Sequence, residues 1–267
     1  MPNPSLITLT TDFGLSDHFV GTMKGVILNI NPAARIIDIS HQINSHDVFD
    51  GAFTLLQAYR YFPSDTIHMV VVDPGVGTAR RPVIARSGRY IFVAPDNGVL
   101  SLIYEEEEAN EVREITASHY FLSPLSHTFH GRDIFAPVAA WLSKGVEVEK
   151  FGDPVKDFVR FSAPKPKAAG DHRFQGVVLK TDKFGNLITN FSARQFPALL
   201  EENRTAFKLS IGQREISKLS ASFAEGQPGE LVAILGSSGF IEICTHRGSA
   251  AKLVQTGRGA EVFLMLD

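Results

Sequence analysis

Apolar positions along the chain fall into two regimes. In the first, short apolar runs alternate with stretches whose apolar residues recur every three to four positions. Leu6 to Thr11, Arg35 to Ile39 and Thr66 to Val72 read as strands. Between them, Phe19, Val20, Met23, Val26, Ile27 and Ile30 recur at helical spacing, and Val48 to Tyr61 distributes Phe49, Ala52, Phe53, Leu56 and Tyr59 around a second helix. Val83 to Ala85 and Tyr90 to Val93, separated by Arg86-Ser87-Gly88-Arg89, predict a hairpin. Further helices are expected from Asn97 to Tyr104 and from Gly131 to Leu142. Strand–helix–strand order of this kind predicts an α/β domain built on a largely parallel sheet covered by helices.

The pattern changes at Ser162-Ala163-Pro164-Lys165-Pro166-Lys167-Ala168-Ala169-Gly170, where Pro and Gly stand among small and charged residues. Beyond it only short runs remain: Phe174 to Thr181, Leu187 to Phe191, Phe207 to Ile211, Leu231 to Leu235, Phe240 to Thr245 and Glu261 to Leu266. Gly and Asn turns separate them, which predicts a small, mostly antiparallel β-barrel or sandwich. The expected organisation is an α/β domain over 1–162, a linker over 163–170 and the β domain over 171–267.

Composition narrows the functional classes. With 44% hydrophobic and 21% charged residues, the chain is that of a globular protein with a real core. A net charge of −3, with no basic stripe interleaved with aromatics, argues against nucleic acid and anionic membranes as partners. No eighteen consecutive apolar residues occur, so no membrane-spanning helix is expected. The single cysteine, Cys244, lies in an apolar run and reads as a small buried residue. One cysteine and no charged or apolar leader suit a cytoplasmic protein, in which the tripeptides Asn190-Phe191-Ser192 and Asn203-Arg204-Thr205 carry no glycan. Glu105 to Glu108 reads as the solvated end of a helix rather than a metal site, because adjacent carboxylates point in different directions.

Four polar clusters stand out. Val70-Val71-Val72-Asp73-Pro74-Gly75-Val76-Gly77-Thr78-Ala79-Arg80 ends a β-branched run on a carboxylate, turns through Pro and two Gly, and then presents an Arg. Ligands of open α/β sheets bind outside the carboxyl ends of the strands, where Asp73 stands, and Arg80 can return to it as a bidentate partner. Thr10-Thr11-Asp12-Phe13-Gly14-Leu15-Ser16-Asp17 places two carboxylates after the first strand. Thr128-Phe129-His130-Gly131-Arg132-Asp133 puts a histidine at a helix start, and Lys180 to Asn186 with Asn190 and Ser237 to Phe240 mark the second domain. Each has a plainer reading: a surface ion pair for Asp73, helix caps for Asp12 and Asp133, and a hairpin turn for Lys183-Phe184-Gly185-Asn186. A metal held by Asp12, Asp73, His127 and His130 is a third possibility, although no helix aligns the two histidines and no cysteine ligand exists.

Taken in order, Thr11 to Gly14, Asp73 to Thr78 with Arg80, Ala94-Pro95-Asp96-Asn97-Gly98, Phe129 to Asp133, and Asp182 to Asn190 resemble the S-adenosyl-L-methionine hydroxide adenosyltransferases. These enzymes share a fold with the fluorinase and chlorinase that use the same substrate. The resemblance runs from about residue 6 to the end of the chain. It implies hydrolysis of S-adenosyl-L-methionine to adenosine and L-methionine, with no cofactor and no metal. It implies a catalytic set of Asp73, Arg80 and His130, a ribose-binding carboxylate at Asp12, and a further substrate contact at Thr78. Methionine-end contacts fall on Asp17, Asp182 and Ser237, and the adenine pocket on Phe184, Asn186 and Phe223. It also implies a homotrimer whose sites lie between the first domain of one subunit and the second domain of its neighbour.

The chemistry suits these residue types. The sulfonium leaves as a neutral thioether, so the need is for an oxygen nucleophile held in line with the ribose C5′. Asp73 would orient a water, with Arg80 fixing Asp73 and His130 completing the water's hydrogen bonds. His46 stands where the halogenases carry an aromatic residue against the ribose, Ser238 where a basic residue follows the second-domain Ser, and His246 where Asn is expected. Two other readings are open: a halide-using relative, and a non-catalytic protein that binds an adenosyl ligand.

Overall fold

The computed structural model describes residues 6–107, 110–200 and 207–266. Glu108 and the Asn203-Arg204-Thr205 tripeptide lie outside the described residues. The chain divides into two compact units, Met1–Ser162 and Ala163–Asp267.

The first unit contains β1 (Leu6–Thr11), α1 (Phe19–Ile30), β2 (Arg35–Ser40), α2 (Val48–Ala58), β3 (Ile67–Val71), β4 (Pro82–Ser87), β5 (Tyr90–Pro95), α3 (Ser101–Glu106), β6 (Asn110–Glu114) and α4 (Ala136–Ser143). Its six-stranded sheet has the order β2-β1-β3-β5-β4-β6. The pairs β1/β2, β1/β3 and β3/β5 are parallel, while β4 pairs antiparallel with β5 and β6. The sheet is therefore mixed: three of its five pairings are parallel, and the β4–β5 hairpin and β6 extend one side of it. Both faces are covered. Leu9, Met69 and Val71 pack with Met23 and Ile27 of α1 and Val138 of α4, whereas Val70, Val72 and Phe92 pack with Leu55 of α2 and Ile103 of α3. Burial on both faces explains why β3, apolar apart from His68, is buried along its whole length.

Helix limits differ from the sequence reading at three places. The second helix ends at Ala58 and tightens into a 3₁₀ turn over Tyr59–Tyr61. The helix expected from Asn97 begins at Ser101, because Asn97 and Gly98 form the preceding turn and Gly98 takes φ +96°. The helix expected from Gly131 opens as a π-helical turn over Gly131–Phe135, closed by the Ala136 N–H to the Gly131 carbonyl, before α4 begins. The acidic run also does more than meet solvent. Glu106 pairs with Arg60 at 3.1 Å, and Glu107 accepts the Tyr59 hydroxyl at 2.7 Å.

The second unit contains β7 (Lys167–Ala168), β8 (Arg173–Thr181), β9 (Leu187–Ser192), β10 (Phe207–Ile211), β11 (Arg214–Ile216), β12 (Leu219–Ser220), β13 (Leu231–Leu235), β14 (Phe240–Thr245), α5 (Ala250–Val254) and β15 (Glu261–Leu266). The strands form one nearly closed, barrel-like sheet in the order β11-β10-β15-β8-β9-β14-β13-β12, with β7 against β8. All pairings are antiparallel except β12 with β13. Val178, Leu187, Phe191, Leu209, Ile243 and Leu264 fill the interior, each such side chain contributing about 1.5–3 kcal/mol by leaving water. Cys244 is a free, buried thiol of β14. Asn190 is buried too, accepting from Val177 N at 2.8 Å and donating to the Pro164 carbonyl at 2.9 Å.

Candidate active site

β1 and β3 are parallel neighbours, so the segments that follow Thr11 and Val71 leave the same edge of the sheet. Asp12 and Asp73 are carried there. The Asp73 turn is shaped by its glycines. Gly77 takes φ +76°, and a Cβ on it would lie 2.2 Å from the His127 carbonyl oxygen. Only a residue without a side chain lets the turn lie this close to the 127–130 segment. Thr78 closes the turn from within, donating to the Gly75 carbonyl at 2.7 Å, and is itself exposed.

Arg80 returns to Asp73 as its spacing predicts. Its Nε donates to Oδ1 at 3.0 Å and to Oδ2 at 2.9 Å, and its Nη2 donates to Oδ2 as well. Both side chains are withdrawn from solvent, Arg80 at 8% and Asp73 at 4% exposure. This is no surface ion pair, since low dielectric and two-pronged geometry strengthen it. The same Nη2 donates to Nδ1 of His130 at 2.8 Å. A guanidinium accepts nothing, so Nδ1 is the acceptor and the neutral ring carries its proton on Nε2. Burial, and then the Arg80 charge, push His130 below the ordinary imidazole range, which keeps it neutral near pH 7.

Phe135 completes the setting. Its buried ring lies 5.3 Å from the Arg80 guanidinium carbon. His130 precedes the π-helical turn and Phe135 ends it, and the turn's wider closure brings residues five apart nearer one face than an α turn does. Asp133 anchors the same segment rather than capping a helix: it accepts from Ser126 N at 2.8 Å and from Arg132 Nε at 2.5 Å. Burial pushes the Asp133 carboxyl up, but the hydrogen bonds from Arg132 and Ser126 outweigh it and hold it below the usual carboxylate range.

Asp12 does not cap α1 either. Its Oδ2 accepts the backbone N–H of His46 at 2.8 Å, where His46 takes φ +65°. Behind it, Thr11 Oγ1 accepts from Phe13 N at 3.3 Å and lies 2.8 Å from Nδ1 of buried His41. His41 Nε2 in turn lies 3.1 Å from Asp38, off the N–H axis, and Lys24 meets Asp38 at 2.6 Å. Phe13 packs edge-on against Phe129 at 6.0 Å, linking the Asp12 loop to the His130 loop. Asp17 is exposed, with Ser16 Oγ 3.5 Å from its carboxylate.

In the second unit, one turn holds Asp182, Phe184 and Asn186. Asp182 Oδ1 accepts from Phe184 N and Asn186 N at 2.8 Å, and Oδ2 accepts from Asn186 Nδ2 at 2.8 Å. Asn186 is buried, whereas Phe184 is 75% exposed. Gly185 lets this turn sit against Ser249, since a Cβ there would fall 2.0 Å from the Ser249 hydroxyl. A cavity of about 340 Å³ lined by Thr245, His246, Arg247, Ser249 and Lys252 lies beside Ser249. Ser237 and Phe223 sit on two other turns, both exposed. Buried Glu242 adjoins the Ser237 turn, its carboxylate lying over Gly236. Burial and the nearby Asp182 raise its pKa.

Sequence reasoning missed Phe135, His41, Asn97 and Glu242. Asn97 lay in a motif already singled out; Phe135 reads as ordinary core, and nothing in the spacing of His41 or Glu242 marks them. Among the described residues, no group of three or more His, Cys, Asp and Glu is arranged to hold a metal ion. Likewise, none of the described helices is long and apolar enough to cross a membrane.

The family models for the SAM hydroxide adenosyltransferase N-terminal and C-terminal domains match residues 7–152 and 176–263. An (R)-S-adenosyl-L-methionine hydrolase of Salinispora tropica is 37% identical over 255 residues, covering 93% of both chains. A fluorinase of Nocardia brasiliensis is 29% identical over 275 residues, covering 92% of each. The crystal structure of an uncharacterized conserved protein from Thermotoga maritima superposes with a TM-score of 0.90 at 37% identity, covering 97% of this chain and 99% of that one. Matched over both of its units, the chain belongs to the SAM hydroxide adenosyltransferase family.

Proposed function

We propose that the protein hydrolyses S-adenosyl-L-methionine to adenosine and L-methionine, by in-line attack of a water on ribose C5′. The observation that carries this reading is the buried Asp73–Arg80–His130 set at the carboxyl edge of β1 and β3. A carboxylate offers about four acceptor positions, and Arg80 occupies three through Nε and Nη2. The remaining one on Oδ1 is the group that would orient and finally deprotonate the water. A carboxylate is a weak base for water, so full hydroxide formation is costly. Proton transfer late in the displacement fits better. Arg80 supplies preorganised positive charge for the developing hydroxide. His130 serves mainly by holding Arg80, through its Nδ1.

The substrate itself carries the activation. Methionine departs as a neutral thioether, so the displacement requires neither a cofactor nor a Lewis acid. Asp12 is assigned to the ribose, Thr78 to a further substrate contact, Asp17, Asp182 and Ser237 to the methionine end, and Phe184, Asn186 and Phe223 to adenine. The first unit, 1–162, is read as catalytic, and the segment after the 163–170 linker as completing the substrate pocket. Exposed Leu15 (67%) and Phe184 (75%), each beside assigned residues, support a site covered by a neighbouring subunit, most simply in a homotrimer. A cytoplasmic protein acting on a soluble metabolite is the matching location.

Relatives are named for the R configuration at the sulfonium, and the same epimer is the preferred substrate in this reading. Incubating purified protein with each epimer, with and without halide, and identifying the nucleoside tests it. Adenosine with methionine supports hydrolysis, a 5′-halonucleoside supports the halogenase alternative, and tight binding with no product supports a sensor.

A further inference from the structure

Asn97 joins the ends of two strands. The parallel ladder of β3 with β1 ends at Thr11↔Val71, and its ladder with β5 ends at Met69↔Val93. The Val72 carbonyl therefore lies beyond both ladders, on a residue whose side chain is fully buried. A buried carbonyl needs a donor, and Asn97 Nδ2 supplies it at 2.8 Å. The other end of the same amide is also used, with Oδ1 accepting from Val99 N at 3.1 Å. With both ends engaged, the amide has one orientation. Its neighbour Asp96 fastens the segment, accepting from Arg81 at 2.7 Å and from Val159 N at 2.8 Å. From the opposite side, Gly51 of α2 brings its α-carbon close enough that a Cβ would meet Val72 Cγ2 at 3.0 Å. Val72 is thus held through its side chain by α2 and through its carbonyl by Asn97. The residue that hangs from that peptide is Asp73.

We propose that Asn97 is a positioning residue for Asp73, fixing the Val72 peptide so that the Asp73 carboxylate meets the attacking water in line. The inference rests on the reading of Asp73 as the group that holds this water. Asparagine suits the place because it is short and offers a donor and an acceptor side by side. Aspartate has the same shape and keeps the acceptor for Val99, but has no donor for Val72. A carbonyl freed in this way lets the strand exit shift, and displacements of about 1 Å reduce turnover by around 10²-fold.

The test is a double-mutant cycle in steady-state kinetics: wild type, Asn97→Asp, Asp73→Asn and the double variant, each checked by thermal unfolding. Asn97→Asp is expected to lower kcat by about 10- to 100-fold with KM within about threefold. In the Asp73→Asn background the same change is expected to alter kcat by less than about twofold, because the group it positions is already gone. Equal kcat losses in both backgrounds, or a normal kcat for Asn97→Asp alone, overturn the inference and leave Asp73 as assigned. Near-normal turnover of Asp73→Asn overturns the assignment of Asp73, and the inference with it. Asn97→Ala, which adds no charge, is read the same way where Asn97→Asp does not fold. Failure of both to fold marks Asn97 as structural and overturns the inference.

Discussion

Arg80 grips both carboxylate oxygens of Asp73, and it does so from a turn whose close approach to the His127 carbonyl only glycine at position 77 permits. Charge and hydrogen bonding are combined in one buried pair. Asp73→Asn keeps the shape but removes the base and the anionic partner of Arg80. Turnover is expected to fall by about 10² or more with substrate still bound. His130→Ala is expected to lose less, because Arg80 retains Asp73 and the Phe135 ring. Single-turnover rates and substrate affinity of the two variants check this ordering, and the reverse order would assign the base role to His130.

Stability should fall with acid for an identifiable reason. His68 is fully buried among Tyr59, Phe62, Tyr90 and Phe92, with Nδ1 2.7 Å from Thr8 Oγ1. Burial pushes its pKa down to about 3. The unfolded chain then binds a proton near pH 6.5 that the folded chain does not take up until about pH 3. Its stabilisation is therefore complete above the unfolded pKa and is lost as pH falls, at about 1.4 kcal/mol per unit. Between pH 7 and 5 this one group removes about 2 kcal/mol. Denaturant unfolding of His68→Gln at both pH values should show a correspondingly shallower loss; an unchanged slope would exclude His68 as the cause.

How much of this was legible beforehand depends on the kind of signal. The apolar run into Asp73 was readable because β3 is buried on both faces, and the hairpin of β4 and β5 because its turn residues are punctuating ones. The seven-residue return of Arg80 was readable from spacing. The π-helical turn was not, since its apolar pattern is that of an α-helix and only the bond from the Ala136 N–H to the Gly131 carbonyl distinguishes it. Asn97 was seen as part of a motif, but its bond to Val72 depends on where two ladders stop. Asp12 and Asp133 were read as possible caps because sequence shows a carboxylate near a helix start, not which distant N–H it meets. His46 and Ser126 supply those partners.

Assembly gives a separate test. If the site lies between subunits, mixing Asp73→Asn protein with Asp182→Ala protein restores part of the activity, because some interfaces carry neither lesion. Light scattering should report a trimer. A fully active monomer at assay concentration would refute the intersubunit site.

Chelation is expected to leave the rate unchanged, since the leaving group is activated by its own positive charge. The check is exhaustive chelation followed by assay in metal-free buffer. A reproducible loss that zinc or magnesium restores would point to a metal step.

The most direct measurement concerns the nucleophile. A carboxylate about 4 Å from a bound halide repels it by roughly 4 kcal/mol at an effective dielectric of 20, and Arg80 offsets only part of this. Gly131 offers no hydroxyl in compensation, and a Cβ there would meet Met23 Sδ at 3.0 Å. Turnover in oxygen-18 water, with and without chloride or fluoride, should give adenosine labelled at its 5′ oxygen at the same rate throughout. Unlabelled adenosine, or 5′-chloro- or 5′-fluoro-5′-deoxyadenosine as the main product when the halide is present, would contradict a water held by Asp73.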